Sequence, residues 1–159
     1  MIFIYFLITG FNTLSTTYFY NFLTNSWTRG PTLLNSRAEH SCAFISNTVI
    51  VVGGFSFSSG SVRSTEYLNT VNNTWVNGPN LPYGINGENI VPHPEGGIVI
   101  VGGYSSSIYD NTNALLYLPN ISSQWTVLSQ TLQTRRQYSV SISLDYNLSP
   151  IIPAVISKF

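Results

Sequence analysis

Val49-Ile50-Val51-Val52-Gly53-Gly54-Phe55 is the stretch on which the reading of this sequence turns. A short, continuous run of Val and Ile bounded by glycine reads as a strand buried on both faces. The paired glycines permit positive φ and close backbone approach where the chain leaves that strand. The signature recurs as Ile98-Val99-Ile100-Val101-Gly102-Gly103-Tyr104 and, more weakly, as Phe6-Leu7-Ile8-Thr9-Gly10-Phe11. The apolar opening of the chain is therefore expected to be the first copy of a recurring strand. It is too short to span a membrane as a helix and lacks the basic start and small-residue cleavage site of a secretory signal.

Outward from this run, other residues fall into register. Trp27, Trp75 and Trp125 stand 48 and 50 residues apart, and eight residues before them come Phe19, Tyr67 and Tyr117. Gly30-Pro31 and Gly78-Pro79 follow the first two tryptophans, and Arg37 and Arg135 lie ten residues past the first and third. A repeat of this period marks small units that cannot bury their apolar faces alone and must stack. In the best copy, strands are expected over 39–46, 49–52 and 64–70 and around Trp75, separated by a Ser/Gly-rich loop at 56–61 and an Asn72-Asn73 turn. No amphipathic helix is evident. Radial stacking of such four-stranded sheets gives a β-propeller, whose short edges are protected. The recurring residues (Gly10, Gly53, Gly54, Gly102, Gly103, the tryptophans and the spaced aromatics) read as structural, since a functional site would appear once.

The second copy, residues 37–82, reads Arg-Ala-Glu-His-Ser-Cys, Val-Ile-Val-Val-Gly-Gly, Ser-Thr-Glu-Tyr-Leu and Trp-Val-Asn-Gly-Pro. It resembles the kelch repeat, and the resemblance extends over about residues 2–144. It implies an all-β, partial kelch-type β-propeller of about three four-stranded blades. The expected divisions are a partial first blade at 1–36, a second at 37–84, a third at 85–134, and the first strand of a further blade plus an irregular tail at 135–159. Some positions depart from the pattern. Thr9-Gly10 replaces Gly-Gly, Ile85 stands where Arg is expected, Pro92 and Pro94 interrupt a strand, and no Gly-Pro follows Trp125. Propellers typically close with roughly 4–8 blades, so the chain reads as a fragment. The alternative is a six-bladed homodimer in which the strand at 136–144 completes the partner's first blade.

The resemblance implies non-catalytic protein binding through loops on one face, with a protein partner of unknown identity. Loops after the glycine pairs and loops leading into each blade should share that face. They offer Phe57, Arg63, Tyr83, Tyr104, Tyr109 and Asp110, and Tyr and Arg are common interface anchors. Arg37 and Arg135 sit where one blade hands over to the next. Structural hydrogen bonds to carbonyls and a ligand-facing role are both open to them. Two other readings come from the same resemblance. One is a fragment of a kelch-type oxidase or glycan-acting enzyme. The other is the substrate-recognition part of an intracellular ubiquitin-ligase adaptor.

Composition narrows the field. Of 159 residues 43% are hydrophobic and 8% charged, with six basic residues balancing six acidic ones. This is far from the low hydrophobicity and high net charge of a disordered chain. It also lacks the clustered Lys and Arg that phosphate backbones require, which argues against nucleic acid. The charged fraction is well below the usual value of about 25%, and Ser, Thr and Asn take its place. Such a surface fits an extracellular or a cytoplasmic setting, with an inclination to the former. Cys42 is the single cysteine, so no internal disulfide is expected, and it reads as a buried structural thiol. His40 and His93 show no metal-ligand spacing; no metal or cofactor is expected. His40 with Glu39 and Cys42 suggests a nucleophile system only if they converge in space. Asn72 and Asn120 head N-glycosylation patterns on predicted turns, as does Asn147 before Pro150.

Overall fold

A computed structural model of the chain describes residues 15–141, in which all regular structure is strand. A hairpin, β1 (Tyr18–Asn21) and β2 (Ser26–Arg29), comes first. A four-stranded antiparallel sheet follows, ordered β3 (Ser41–Ile45), β4 (Thr48–Val52), β7 (Thr65–Asn69), β8 (Thr74–Asn77). Its equivalent one repeat later is β9 (Asn89–Pro92), β10 (Ile98–Val101), β13 (Ala114–Leu118), β14 (Thr126–Thr131). After each glycine pair stands a two-residue-stranded hairpin: β5 (Phe55–Ser56) with β6 (Gly60–Ser61), and β11 (Tyr104–Ser105) with β12 (Asp110–Asn111). These are successive blades of a propeller. Among the described residues the first contributes only its two outer strands; the strand expected over 6–8, with Gly10, lies outside them.

Strand β4 shows why a repeat cannot stand alone. All five residues are buried. Ile50 and Val52 enter a core shared with Ile98, Ile100, Leu116, Leu118 and Trp125 of the third blade. Val49 and Val51 enter a separate core with Leu33, Leu68 and Trp75, against which Phe19 of the first blade packs. Side-chain alternation along one strand thus feeds two interfaces, one per neighbour.

The joints between blades are polar as well as apolar. The Pro31 carbonyl accepts from Thr17 Oγ1 (2.6 Å) within its own blade and from Trp75 Nε1 (3.0 Å) of the next. The Pro79 carbonyl accepts from Thr65 Oγ1 (2.9 Å) and Trp125 Nε1 (3.0 Å) in the same way. Gly must precede each proline, because a Cβ at Gly30 or Gly78 would lie 2.5 Å from the threonine hydroxyl. The third copy has Leu115 at the threonine position and Leu128 at the glycine position. Both halves of the contact are missing together, and β14 runs two residues longer than β8. Trp125→Phe keeps the apolar ring and deletes the donor. It is expected to cost about 1–3 kcal/mol, measured by urea unfolding; an unchanged midpoint would remove the indole bond from the account.

Two expectations are corrected. Trp27 is 48% exposed, because it shares with Tyr20 the face of its hairpin turned away from the second blade, where a preceding blade would pack. Cys42 is exposed rather than buried. It lies opposite Val51 and points, like the exposed Phe44 opposite Val49, toward the first blade, whose described strands reach only the outer part of the sheet. Residues 135–141 contain no strand, and the remainder of the strand expected over 135–144 lies outside the described residues. Inner strand β3 pairs with β4 of its own blade, and no second strand of a fourth blade is present among the described residues to pair with it. Residues 142–159 lie outside them.

Candidate binding face

Gly53 and Gly54 set the geometry of one end of the propeller. Their φ angles are 58° and 99°, and Cβ atoms there would sit 2.6 Å from the carbonyl oxygens of Ile85 and Ala38 respectively. The pair therefore lets the segment leading into its own blade and the segment leading into the next cross directly over it. Backbone bonds hold the crossing: Ala38 and Phe55 exchange both N–H groups (2.9 and 2.7 Å), as do Asn86 and Tyr104 (2.9 and 2.8 Å). Gly54 N donates to Ile85 O (2.8 Å) and, one blade on, Gly103 N donates to Arg136 O (2.7 Å). Gly87 N then donates to Glu39 O (3.0 Å) and Tyr138 N to Gly87 O (2.7 Å). Consecutive blades are thus linked by a staircase of main-chain bonds, and the loops after the glycine pairs meet the loops leading into the blades on one face.

This register makes Arg136, not Arg135, the counterpart of Arg37 and Ile85. The β11–β12 loop carries one more residue than the β5–β6 loop, and the stretch from Trp125 onward carries another. Spacing from the tryptophan alone points one residue too early.

Arg37 does not face a ligand. It is fully buried, donating through Nη1 to the carbonyls of Gly53 (2.7 Å) and Ser64 (2.8 Å) and through Nη2 to Ser64 Oγ (2.8 Å) and Glu66 Oε1 (2.7 Å). Burial lowers its proton affinity while Glu66 opposes that shift. Glu66 in turn accepts from the N–H groups of Leu34 (2.7 Å) and Asn35 (3.0 Å), tying the link from the first blade to the second. In the third blade the corresponding pair is Ile85 and Leu116, both fully buried in the apolar core.

The other candidates scatter over the face. Tyr104 lines an open depression of about 270 Å³ together with Glu39, Phe55, Asn86, Gln137 and Tyr138. Tyr83 is half-buried against the core, its hydroxyl 3.5 Å from Thr112 Oγ1. Arg63 is exposed and donates from Nε to Leu81 O (3.0 Å). Tyr109 projects into solvent from the tip of the β11–β12 loop, and beside it Asp110 pairs with Arg135 in an exposed ion pair. Phe57 is exposed, its ring edge-on to Phe55 at 5.7 Å. Asn72 and Asn120 are exposed on the hairpins joining the outer strands of their blades.

The histidines stand apart from each other's surroundings. His93 packs on Tyr117 at 4.7 Å and accepts from Glu95 N (3.2 Å). His40 Nδ1 is buried without a partner, so it links to neither Glu39 nor Cys42 through that atom. His40, Glu88 and Ser139 occupy the same position in successive units, and Glu88 Oε2 and Ser139 Oγ are likewise buried without partners.

The Kelch motif matches residues 36–82, the unit that contains the buried Arg37–Glu66 pair, the glycine pair and Trp75. This unit is a kelch repeat, and the match supports the kelch-repeat family for the chain. A kelch domain-containing protein of Sulfurisphaera tokodaii is 31% identical over 134 residues, 81% of this chain. The chain spans 18% of that relative's length. Kelch repeats are generally protein-interaction modules, and the family is typically non-enzymatic.

Proposed function

We propose that this kelch chain is a non-catalytic protein-binding module that presents the face around Tyr104 to a protein partner. The observation that carries the reading is the convergence of side chains from successive blades on one depression, held by the staircase of main-chain bonds. Rigid backbone beneath exposed aromatic groups lowers the ordering cost of binding. Three blades fall short of closure. The remaining blades would come from flanking repeats of a longer protein, as the small share of the relative suggests, or from a second copy forming a six-bladed ring. Light scattering separates these: a monomeric mass for the folded chain eliminates the ring of two copies.

The binding reading is tested by identifying a protein captured by the immobilised chain and measuring its affinity for variants. Tyr104→Ala is expected to weaken binding by about ten-fold or more, the size of a hot-spot loss. Leu23→Ser, on the exposed outer turn of the first hairpin, should leave it unchanged. Equal binding by both variants would refute the assignment to this face. Stoichiometric copper in the purified protein would favour the oxidase-like reading instead.

A further inference from the structure

The depression has a definite chemical character. Its lining holds one carboxylate (Glu39), three aromatic rings (Phe55, Tyr104, Tyr138) and two side-chain amides (Asn86, Gln137), and no basic residue. The nearest buried cation, Arg37, is fully engaged beneath the surface with Glu66 and three oxygen acceptors of Gly53 and Ser64. Arg135 is held by Asp110 on the loop outside. Glu39 is exposed and its Oε2 accepts from Asn86 Nδ2 (2.7 Å); the same carboxylate stands near enough to the Tyr138 hydroxyl to raise the tyrosine's proton affinity. An ionised carboxylate offers about four lone-pair sites, so acceptor capacity remains toward the opening.

The backbone holds these groups in place at a cost. Glu39, Gly87 and Tyr138 occupy the same position in three successive units, and all three have left-handed φ values of 52°, 62° and 51°. Only glycine adopts that conformation readily. Strain of about 1 kcal/mol or more at a non-glycine residue commonly accompanies a binding or catalytic role. The central position has no side chain, and a Cβ at Gly87 would lie 2.8 Å from the Tyr138 ring. Tyr138 therefore lies across Gly87 toward Glu39, so that the second and fourth units meet over the third.

We infer that this depression receives a positively charged side chain, arginine or lysine, from the partner protein; the inference rests on the protein-binding reading above. Aromatic faces attract cations through their quadrupole, and a carboxylate with free lone pairs takes a guanidinium in charge-assisted, bidentate fashion. The amide oxygen of Gln137 adds a neutral acceptor, while that of buried Asn86 already accepts from Ser61 Oγ (2.6 Å). An anion would meet Glu39 in a lining without a basic residue.

The test uses the full chain and three blocked tripeptides, acetyl-Gly-X-Gly-amide with X arginine, citrulline or glutamate, followed by the side-chain amide NMR signals of Asn86 and Gln137. Citrulline keeps the shape of arginine and removes its charge. The arginine peptide is expected to shift both signals saturably, with the citrulline and glutamate peptides about ten-fold weaker or silent. Glu39→Gln, which keeps an acceptor for Asn86, should weaken the arginine peptide by about ten-fold. Tyr138→Ala should weaken it several-fold, and Glu95→Gln, an exposed acid elsewhere, should have no effect. Equal binding of arginine and citrulline, insensitivity to Glu39→Gln, or no arginine-dependent shift at all would each overturn the inference. If Tyr104→Ala weakens the captured partner while the arginine peptide neither binds nor competes, the cation inference fails and the protein-binding reading stands. If the peptide binds at this face but the partner is indifferent to Tyr104→Ala, the depression takes a cation, while the assignment of the partner to this face fails.

Discussion

Replacing Arg37 with methionine lowers the free energy of unfolding by about 3–5 kcal/mol, the usual result of breaking a buried ion pair by removing one partner. The variant leaves the Glu66 carboxylate buried without its cation and strips donors from Gly53 O, Ser64 O and Ser64 Oγ. The loss would be a large share of the roughly 5–15 kcal/mol that stabilises a typical domain. The third blade supplies the control. There Ile85 and Leu116 fill the equivalent positions without charge, and well-packed apolar replacements of buried ion pairs are often neutral or stabilising. The double variant Arg37→Ile with Glu66→Leu is therefore expected to be more stable than Arg37→Met. It should not equal the wild type, because the N–H groups of Leu34 and Asn35 lose their acceptor. Urea unfolding of the three proteins decides it. A single variant that costs less than about 1 kcal/mol would show that the pair behaves as a surface bridge, contrary to its burial.

The second large effect is a pH profile with a plateau and then a fall. Burial pushes Glu88 from its ordinary value of 4.5 up to about 8, with bonds from backbone N–H groups and Arg37 opposing and Glu39 adding to the rise. The folded state thus holds a proton that the unfolded state releases, and stability falls as pH rises from 4.5 to about 8. Burial, with Arg37, pushes His40 from 6.5 down to about 4. There the unfolded state binds a proton that the folded state refuses, and stability rises with pH from about 4 to 6.5. Each uncompensated proton changes the unfolding free energy by about 1.4 kcal/mol per pH unit. The two slopes cancel between about pH 4.5 and 6.5. Above that range Glu88 acts alone, and about 2 kcal/mol is lost by pH 8. Glu88→Gln should abolish this alkaline fall, and His40→Asn should extend it down to about pH 4.5. A wild-type profile level from pH 6.5 to 8 would contradict the burial of an unpaired Glu88 oxygen.

What could be read in the sequence followed from what repeats. Val49–Val52 and Ile98–Val101 announced strands buried on both faces, and β4 does divide its side chains between two cores. Ungapped spacing from Trp125 points to Arg135 rather than Arg136 because it is blind to the one extra residue in the stretch after the tryptophan, where β14 runs on. A buried Cys42 and a structural Trp27 follow from a pattern that describes a unit with neighbours on both sides. The described residues include no blade before Trp27 and only the outer half of the blade beside Cys42. The depression was legible only in part, through Tyr104. Glu39, Gly87 and Tyr138 share one position, as do Ala38, Asn86 and Gln137, yet no identity is conserved among the copies. Self-comparison seeks sameness and passes over such positions. Their signal is the fixed offset from the glycine pair combined with unlike residues, which is where a repeated scaffold becomes asymmetric.

The indole bonds to Pro31 and Pro79 all run one way, each donor reaching back to a carbonyl of the unit before it. The array therefore has a grain. Trimming it from the downstream end frees an acceptor that water or the same unit's threonine can satisfy. Trimming from the upstream end leaves a large ring with an N–H and no docking point. Evolution by duplication would then add and lose repeats more easily at the carboxyl side, each newcomer arriving with its own hook for the unit already in place.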